Sequence, residues 1–153
     1  MISDQNIFIL HRDPRRLLIR VQIPGDDLVI HKLHALDMSY SLDERQAWWS
    51  TTTSRSNKWP PSIILCDANA QLGDTLSDAV GAQGLPQAQN SNGDHLHGFL
   101  LQYGMCAPGT FIDDDDAATW NANRIDYVLC DAALAPTVTR YFVDSSFDTS
   151  RNC

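Results

Sequence analysis

Apolar and polar residues alternate along the first part of the chain in three stretches that are typical of strands. These stretches cover residues 6–11, 15–23 and 28–34. Turn-forming residues separate them, Asp-Pro at 13–14 and Pro-Gly-Asp-Asp at 24–27. Because strands joined by short turns pair antiparallel, this part of the chain is predicted to form one antiparallel sheet.

Two helices are predicted further along. The first covers about 43–52, where Ser41 as N-cap and Glu44 three positions later form a capping box. The second covers about 93–103, and four of its side chains are expected to face inward: Leu96, Phe99, Leu100 and Tyr103. Residues 73–90, rich in Gly, Gln, Asp and Ala, are predicted to form an irregular loop.

The remaining apolar segments predict more strands. A short apolar run at 63–66 indicates a buried strand. Other strands are predicted at 105–112, 118–120, 125–130 and 138–143. Helices and strands together indicate an α/β (α+β) fold, with residues 1–153 as a single domain.

Composition agrees with a globular intracellular protein. The chain is 43% hydrophobic and has no apolar run near the roughly 20 residues that a membrane helix needs. Its first residues lack the basic and apolar regions of a signal peptide. The four cysteines form no C-x-x-C pair, which argues against zinc and for reduced thiols. A cytoplasmic or nuclear location without membrane attachment is therefore expected.

The net charge of -8 is unusual for a protein that binds nucleic acid. Residues 1–60 hold 8 basic and 7 acidic side chains, whereas residues 61–153 hold 3 and 12, so the acid is concentrated in the second part. The four consecutive aspartates at 113–116 are predicted to be a solvated hairpin tip. A calcium loop is the alternative, but the ligand spacing and the Gly of an EF-hand are absent.

Asp67 and Asn69 follow directly after the apolar run at 63–66. Residues two positions apart project to the same side of an extended chain. An Asp can bind a hard cation or accept a proton from water, and an Asn can bond a phosphate oxygen without adding repulsive charge. A metal or phosphate site is one interpretation; a strand-end Asx turn is the other.

Arg124 and Asp126 are predicted to share one face of the strand that also contains Ile125, Tyr127 and Leu129. Charged side chains on a buried strand need partners, because an unpaired buried charge costs several kcal/mol or more. A catalytic site would supply such partners.

Together these segments resemble the endonuclease/exonuclease/phosphatase superfamily, which includes deoxyribonuclease I and the apurinic/apyrimidinic endonucleases. Residues 66–70 (CDANA) are similar to its Gly-Asp-x-Asn-Ala strand end, and residues 123–127 (NRIDY) to its Ser/Ala-Arg-Ile-Asp-Tyr strand. Residues 92–100 resemble its Asn-containing helix, 109–111 its Thr-Phe strand, and 29–35 its strand ending in His-Ala-Pro. The pattern is most similar to the endonuclease domains of non-long-terminal-repeat retrotransposons.

The resemblance covers about residues 17–143 and implies a deoxyribonuclease I-like β-sandwich with outer helices. No segment matches the family's metal-binding Glu or its terminal Ser-Asp-His. The chain is therefore expected to be the latter part of the domain, incomplete at both ends and impaired in activity. Apolar side chains that would face the missing strands are expected to be exposed.

The resemblance also implies an activity, Mg²⁺- or Mn²⁺-dependent hydrolysis of DNA. It further implies, as a partner, a reverse transcriptase domain in the same polyprotein. Asp67 is expected to activate the attacking water and, with Asn69, to bind the metal. Asp126 is expected to orient a catalytic His that this chain lacks. His34 would contribute acid/base chemistry, as the His at the matching strand end does in deoxyribonuclease I.

Three further residues are expected to bind substrate or to support the site: Asn92, Thr110 and Arg124. The other four histidines, at positions 11, 31, 95 and 97, are expected on the surface or on helix faces. Two alternatives to a DNA endonuclease remain. They are a phosphatase that acts on a small phosphoester or an inositol lipid, and a non-catalytic retroelement remnant.

Overall fold

A six-stranded mixed sheet with two helices forms the described part of the computed structural model, which comprises residues 6–73, 75–83, 88–112, 119 and 123–140. The strands are β1 (Ile7–Asp13), β2 (Arg16–Ile23), β3 (Asp26–His34), β4 (Ile63–Asp67), β5 (Met105–Cys106) and β6 (Asp126–Asp131). The helices are α1 (Leu42–Lys58) and α2 (Ser91–Tyr103). The hairpin tip predicted at 113–116 lies outside the described residues.

The strand order is β1-β2-β3-β4-β6-β5. Only β3 and β4 pair in parallel among the described strands, and all other neighbours are antiparallel. The parallel pair requires a crossover, which α1 provides. The predicted α+β class and the mostly antiparallel sheet are therefore confirmed.

Helix α1 begins where the sequence predicts. Ser41 accepts a hydrogen bond from the backbone N–H of Glu44, and the Glu44 side chain accepts one from the backbone N–H of Ser41. The helix continues to Lys58, past the predicted end at residue 52. Tertiary contacts explain the extension, because Thr52 is buried and accepts a 2.9 Å hydrogen bond from Arg16 Nε on β2.

Helix α2 packs its apolar face inward as predicted. It begins two residues earlier than expected, since Asn90 is the N-cap and accepts from the backbone N–H of Gly93. Gly104 ends it with φ of 61°, a left-handed conformation that favours glycine. Among the four side chains expected to face inward, Leu96, Phe99 and Leu100 are buried, and Tyr103 is half-buried.

The strand predicted at 105–112 is wrong beyond Cys106. A 3₁₀ turn, Pro108–Thr110, follows β5. Proline has no N–H for a strand ladder, and Thr110 Oγ1 donates to the carbonyl of Ala107 at 2.7 Å, which closes the turn. Residues 138–140 are not in a strand either, and the rest of the strand predicted at 138–143 lies outside the described residues.

The two faces of the sheet differ. Both helices pack on one face, where the core includes Leu33, Ile64, Tyr127 and Leu129. The opposite face has exposed apolar side chains, as expected from the sequence, including Leu65 (45% exposed) and Val128 (48%). The run at 63–66 is therefore buried on one face only.

No helix in the described ranges is long and apolar enough to cross a membrane.

Candidate active site

Three site residues predicted from the sequence lie in one row across the sheet. His34 pairs with Asp67 in the register of β3 and β4, and Asp67 pairs with Asp126 in the register of β4 and β6. Side chains of paired residues project to the same face of a sheet. The strand ends therefore bring these three side chains together, although they are far apart in the sequence.

Asp67 is at the centre of this row. His34 Nε2 lies 3.5 Å from Asp67 Oδ2, and the two side chains are 44% and 37% exposed. On the other side of Asp67, the pKa of Asp126 is raised, mainly because the carboxyl is partly buried and also because of the negative charge of Asp67. A hydrogen bond with Thr119 and the nearby His34 act in the opposite direction. The row therefore combines an accessible carboxylate with a second carboxyl that holds its proton more strongly than usual.

Asn69 belongs to a strand-end turn and also lies beside the candidate site, so both interpretations of the Asp67–Asn69 segment, an Asx turn and a metal or phosphate site, are compatible with the structure. Asp67 Oδ1 accepts from the backbone N–H of Asn69 at 3.4 Å, a long Asx-type contact. The backbone of Asn69 has φ of 47°, in the left-handed region that Asn tolerates better than most residues. Its side chain also donates to the carbonyl of Ala35 at 3.0 Å. The turn thus fixes Asn69 beside Asp67.

Asp67 and Asn69 open onto a cleft of about 550 Å³. Four of its lining residues are carboxamides, and the full lining is Asp37, Met38, Ser39, Asp67, Asn69, Gln71, Asn90, Asn123 and Ile125. His34, expected to contribute acid/base chemistry, is not among these residues and flanks Asp67 instead. Asp126 is likewise beside the cleft rather than in its lining.

The three residues expected to bind substrate or support the site are buried. Asn92 is 0% exposed and donates to the carbonyls of Leu36 and Asn69 at 2.8 and 3.2 Å. Thr110 accepts from the backbone N–H of Gly81, and Arg124 donates to the carbonyl of Gly109 at 2.8 Å. Substrate binding by Asn92, Thr110 and Arg124 does not fit this burial; the geometry favours the supporting role.

Sequence reasoning did not identify Asn90 and Gln71 as parts of the site. Asn90 Oδ1 accepts from the backbone N–H of both Gly93 and Gln71, so it ties the start of α2 to the loop after β4. Gln71 Nε2 donates to Asn123 Oδ1 at 2.9 Å, across the cleft lining. The only sequence signal for Asn90 was its residue type, which is a preferred helix N-cap.

The donor atoms near Asp67 suit a hard divalent cation in part. Asp67, Asp126 and Asn69 offer oxygen atoms, and Mg²⁺ is commonly held by one or two carboxylates, with water and substrate phosphates completing its shell. Within the described residues, no group of three or more His, Cys, Asp or Glu side chains is arranged to hold a metal ion. These donors alone would therefore leave most of the coordination shell of a cation to water and substrate.

Comparisons with known proteins support the fold. No protein-family model and no curated protein matches the chain. It is similar to the solved endonuclease domain of TRAS1, a telomere-specific non-LTR retrotransposon, with 14% identity and a TM-score of 0.57. It is also similar to an endonuclease/exonuclease/phosphatase family protein from Bacteroides thetaiotaomicron, with 11% identity, 84% of this chain and 52% of that chain covered, and a TM-score of 0.47.

The TRAS1 comparison covers 86% of this chain and 57% of that domain. The chain therefore spans somewhat more than half of the length of this neighbour. Its fold is that of deoxyribonuclease I-like proteins, as the motifs around Asp67 and Asp126 imply.

Proposed function

We propose that this chain is part of a phosphodiester hydrolase that cleaves DNA, of the retrotransposon endonuclease type. The observation that supports this most directly is the row of His34, Asp67 and Asp126, which lies beside a cleft large enough for part of a nucleotide. The motif resemblance and the TRAS1-like fold point to the same chemistry.

Asp67 is the group that meets the substrate. Its carboxylate is partly exposed in the cleft lining, where it can orient a water molecule and accept its proton. His34 contacts that carboxylate and can hold it in position. Asn69 lies beside it and can donate a hydrogen bond to a phosphate oxygen without adding negative charge.

Asp126 lies beside Asp67 in the same row. Burial raises the pKa of Asp126, so this carboxyl holds its proton more strongly than an exposed aspartate does. A bound Mg²⁺ or Mn²⁺, held by Asp67 and Asn69, would offset negative charge on the phosphate.

The test is nicking of supercoiled plasmid with Mg²⁺, with and without EDTA. Because the chain spans 57% of the TRAS1 domain, the assay uses both the 153-residue chain and the longest reading frame that contains it. The longer protein is expected to nick DNA, and Asp67→Ala or Asn69→Ala is expected to reduce the rate by about a hundredfold or more. Asp131→Ala, an exposed aspartate at the other end of β6, is the matched control.

The outcomes separate the alternatives. Release of phosphate from a small ester, without nicking of the plasmid, would show that the protein is a phosphatase and not an endonuclease. Inactivity of the longer protein in both assays would favour a non-catalytic remnant. Activity that survives Asp67→Ala would contradict the role given to this row.

A further inference from the structure

A second cavity, of about 280 Å³, lies at the turn between β1 and β2. Four cationic residues line it, Arg12, Arg15, Arg16 and Lys32, together with one carboxylate, Asp13. This is the opposite charge balance from that of the whole chain, whose net charge is -8. The cavity is therefore suited to an anion.

Two of the four cations are already engaged within the protein. Arg16 is buried and bonds Asp13 at 3.0 Å and the carbonyl of Trp48 at 3.0 Å. Arg15 donates to the carbonyl of Ala35 and to the hydroxyl of Tyr40, both at 3.3 Å. These contacts fix the shape of the turn, which leaves Arg12 and Lys32 as the cations to consider for a ligand.

Arg12 and Lys32 are both exposed, and neither has a carboxylate within ion-pair distance in the described ranges. Leu17 on β2 lies between them, paired with Arg12 of β1 on one side and with Lys32 of β3 on the other. Their Cα atoms are therefore roughly 10 Å apart, on one face of the sheet. Long side chains at that separation can contact one phosphate group between them.

The cavity adjoins the candidate active site. Lys32 precedes His34 by two residues on β3, so both side chains project to the same face, roughly 7 Å apart along the strand. The backbone N–H of His34 also donates to the carbonyl of Arg15 at 2.9 Å. A strand of nucleic acid cleaved beside Asp67 would thus bring a neighbouring phosphate near Lys32.

We infer that Arg12 and Lys32 form a binding site for a phosphate that neighbours the cleaved one. The substrate is then a polynucleotide strand rather than a small phosphoester. This inference rests on the proposed function for the position of the cleaved phosphate. It also explains how an acidic protein can bind DNA, because the basic side chains are concentrated beside the site.

The test measures binding of a short fluorescein-labelled DNA oligonucleotide by fluorescence anisotropy, in EDTA and at several salt concentrations. Arg12→Ala and Lys32→Ala are each expected to raise Kd by about tenfold near 0.1 M salt and to reduce the slope of log K against log salt by about 1. Lys32→Arg is expected to preserve binding. Lys58→Ala, which removes the same charge from the end of α1 outside the cavity, is the matched control.

Equal effects of Lys58→Ala and Lys32→Ala would overturn the inference, since only net charge would then matter. Displacement of the oligonucleotide by equimolar inorganic phosphate would also overturn it, because a free phosphate would then be the ligand. Thermal unfolding of each variant checks that it is folded. Binding in EDTA is measured without hydrolysis. A protein that fails to nick DNA would therefore contradict the proposed function, whereas the binding data alone decide whether Arg12 and Lys32 form a phosphate site.

Discussion

His34 and Asp67 stand opposite each other on β3 and β4, with His34 Nε2 3.5 Å from Asp67 Oδ2. The two strands are parallel, so the contact depends on the crossover through α1. Two tryptophans of that helix, Trp48 and Trp49, are buried in the core against the sheet. The helix thus covers the sheet on one face, while the register of β3 and β4 brings the two site residues together.

The first prediction concerns the charge coupling between Asp67 and Asp126. Burial is the largest cause of the raised pKa of Asp126, and the negative charge of Asp67 adds to it. Asp67→Asn is expected to lower the pKa of Asp126 while leaving it above its ordinary value, because the burial remains. Carboxyl ¹³C NMR titration measures the change. Asp131→Asn serves as the control, and an unchanged or higher Asp126 pKa in Asp67→Asn would contradict the coupling.

Local signals predicted the hairpins and the start of α1, because turn residues and a capping box act over a few neighbouring positions. They did not predict the end of α1. Thr51, Thr52 and Thr53 are poor helix formers, yet the helix continues because Thr52 packs against Arg16 of β2. The same limit applies to the site, since the pairing of Asp67 with Asp126 is a long-range register that no local pattern encodes.

The second prediction concerns the backbone of Asn69. Alanine and glycine both remove the hydrogen bond to the Ala35 carbonyl, but only alanine keeps a Cβ in the left-handed conformation. Asn69→Ala is therefore expected to be less stable than Asn69→Gly by about 1 kcal/mol. Urea unfolding measures the difference. At Ser54, an exposed position of α1, the order should reverse, with glycine less stable than alanine; the same order at both sites would be inconsistent with this account.

The third prediction concerns Asn92, which braces the loops around the site from α2. Asn92→Ala removes the donor to the Leu36 and Asn69 carbonyls and is expected to destabilise the protein by about 2 kcal/mol. Asn92→Asp should cost more, because it also buries a carboxylate at a position that is 0% exposed. Thermal unfolding measures both. Gln102→Ala, on the exposed side of the same helix, is the control and should have little effect.

The last prediction follows from His31, which was expected on the surface or on a helix face but lies on β3 and is only 1% exposed. Its Nε2 donates to the carbonyl of Trp59 at 3.0 Å, which assigns the proton to that nitrogen in the neutral ring. Burial lowers the pKa of His31 to about 4, against the opposing effect of this hydrogen bond. In the unfolded chain this histidine has its ordinary pKa of about 6.5. Between pH 4 and pH 6.5 the unfolded state therefore binds more protons than the folded state.

Stability is therefore expected to fall as the pH is lowered from about 6.5 to about 4, by roughly 3 kcal/mol from His31 alone. Urea unfolding at pH 7, 5.5 and 4 measures this, and the comparison of wild type with His31→Gln isolates it from other titrating groups. The variant is expected to lose most of the pH dependence in this window. His95→Gln, at a half-buried histidine whose pKa is also lowered by burial, should change it less. An equal pH dependence in wild type and His31→Gln would mean that His31 becomes protonated in the folded state without cost, contrary to its position in the core.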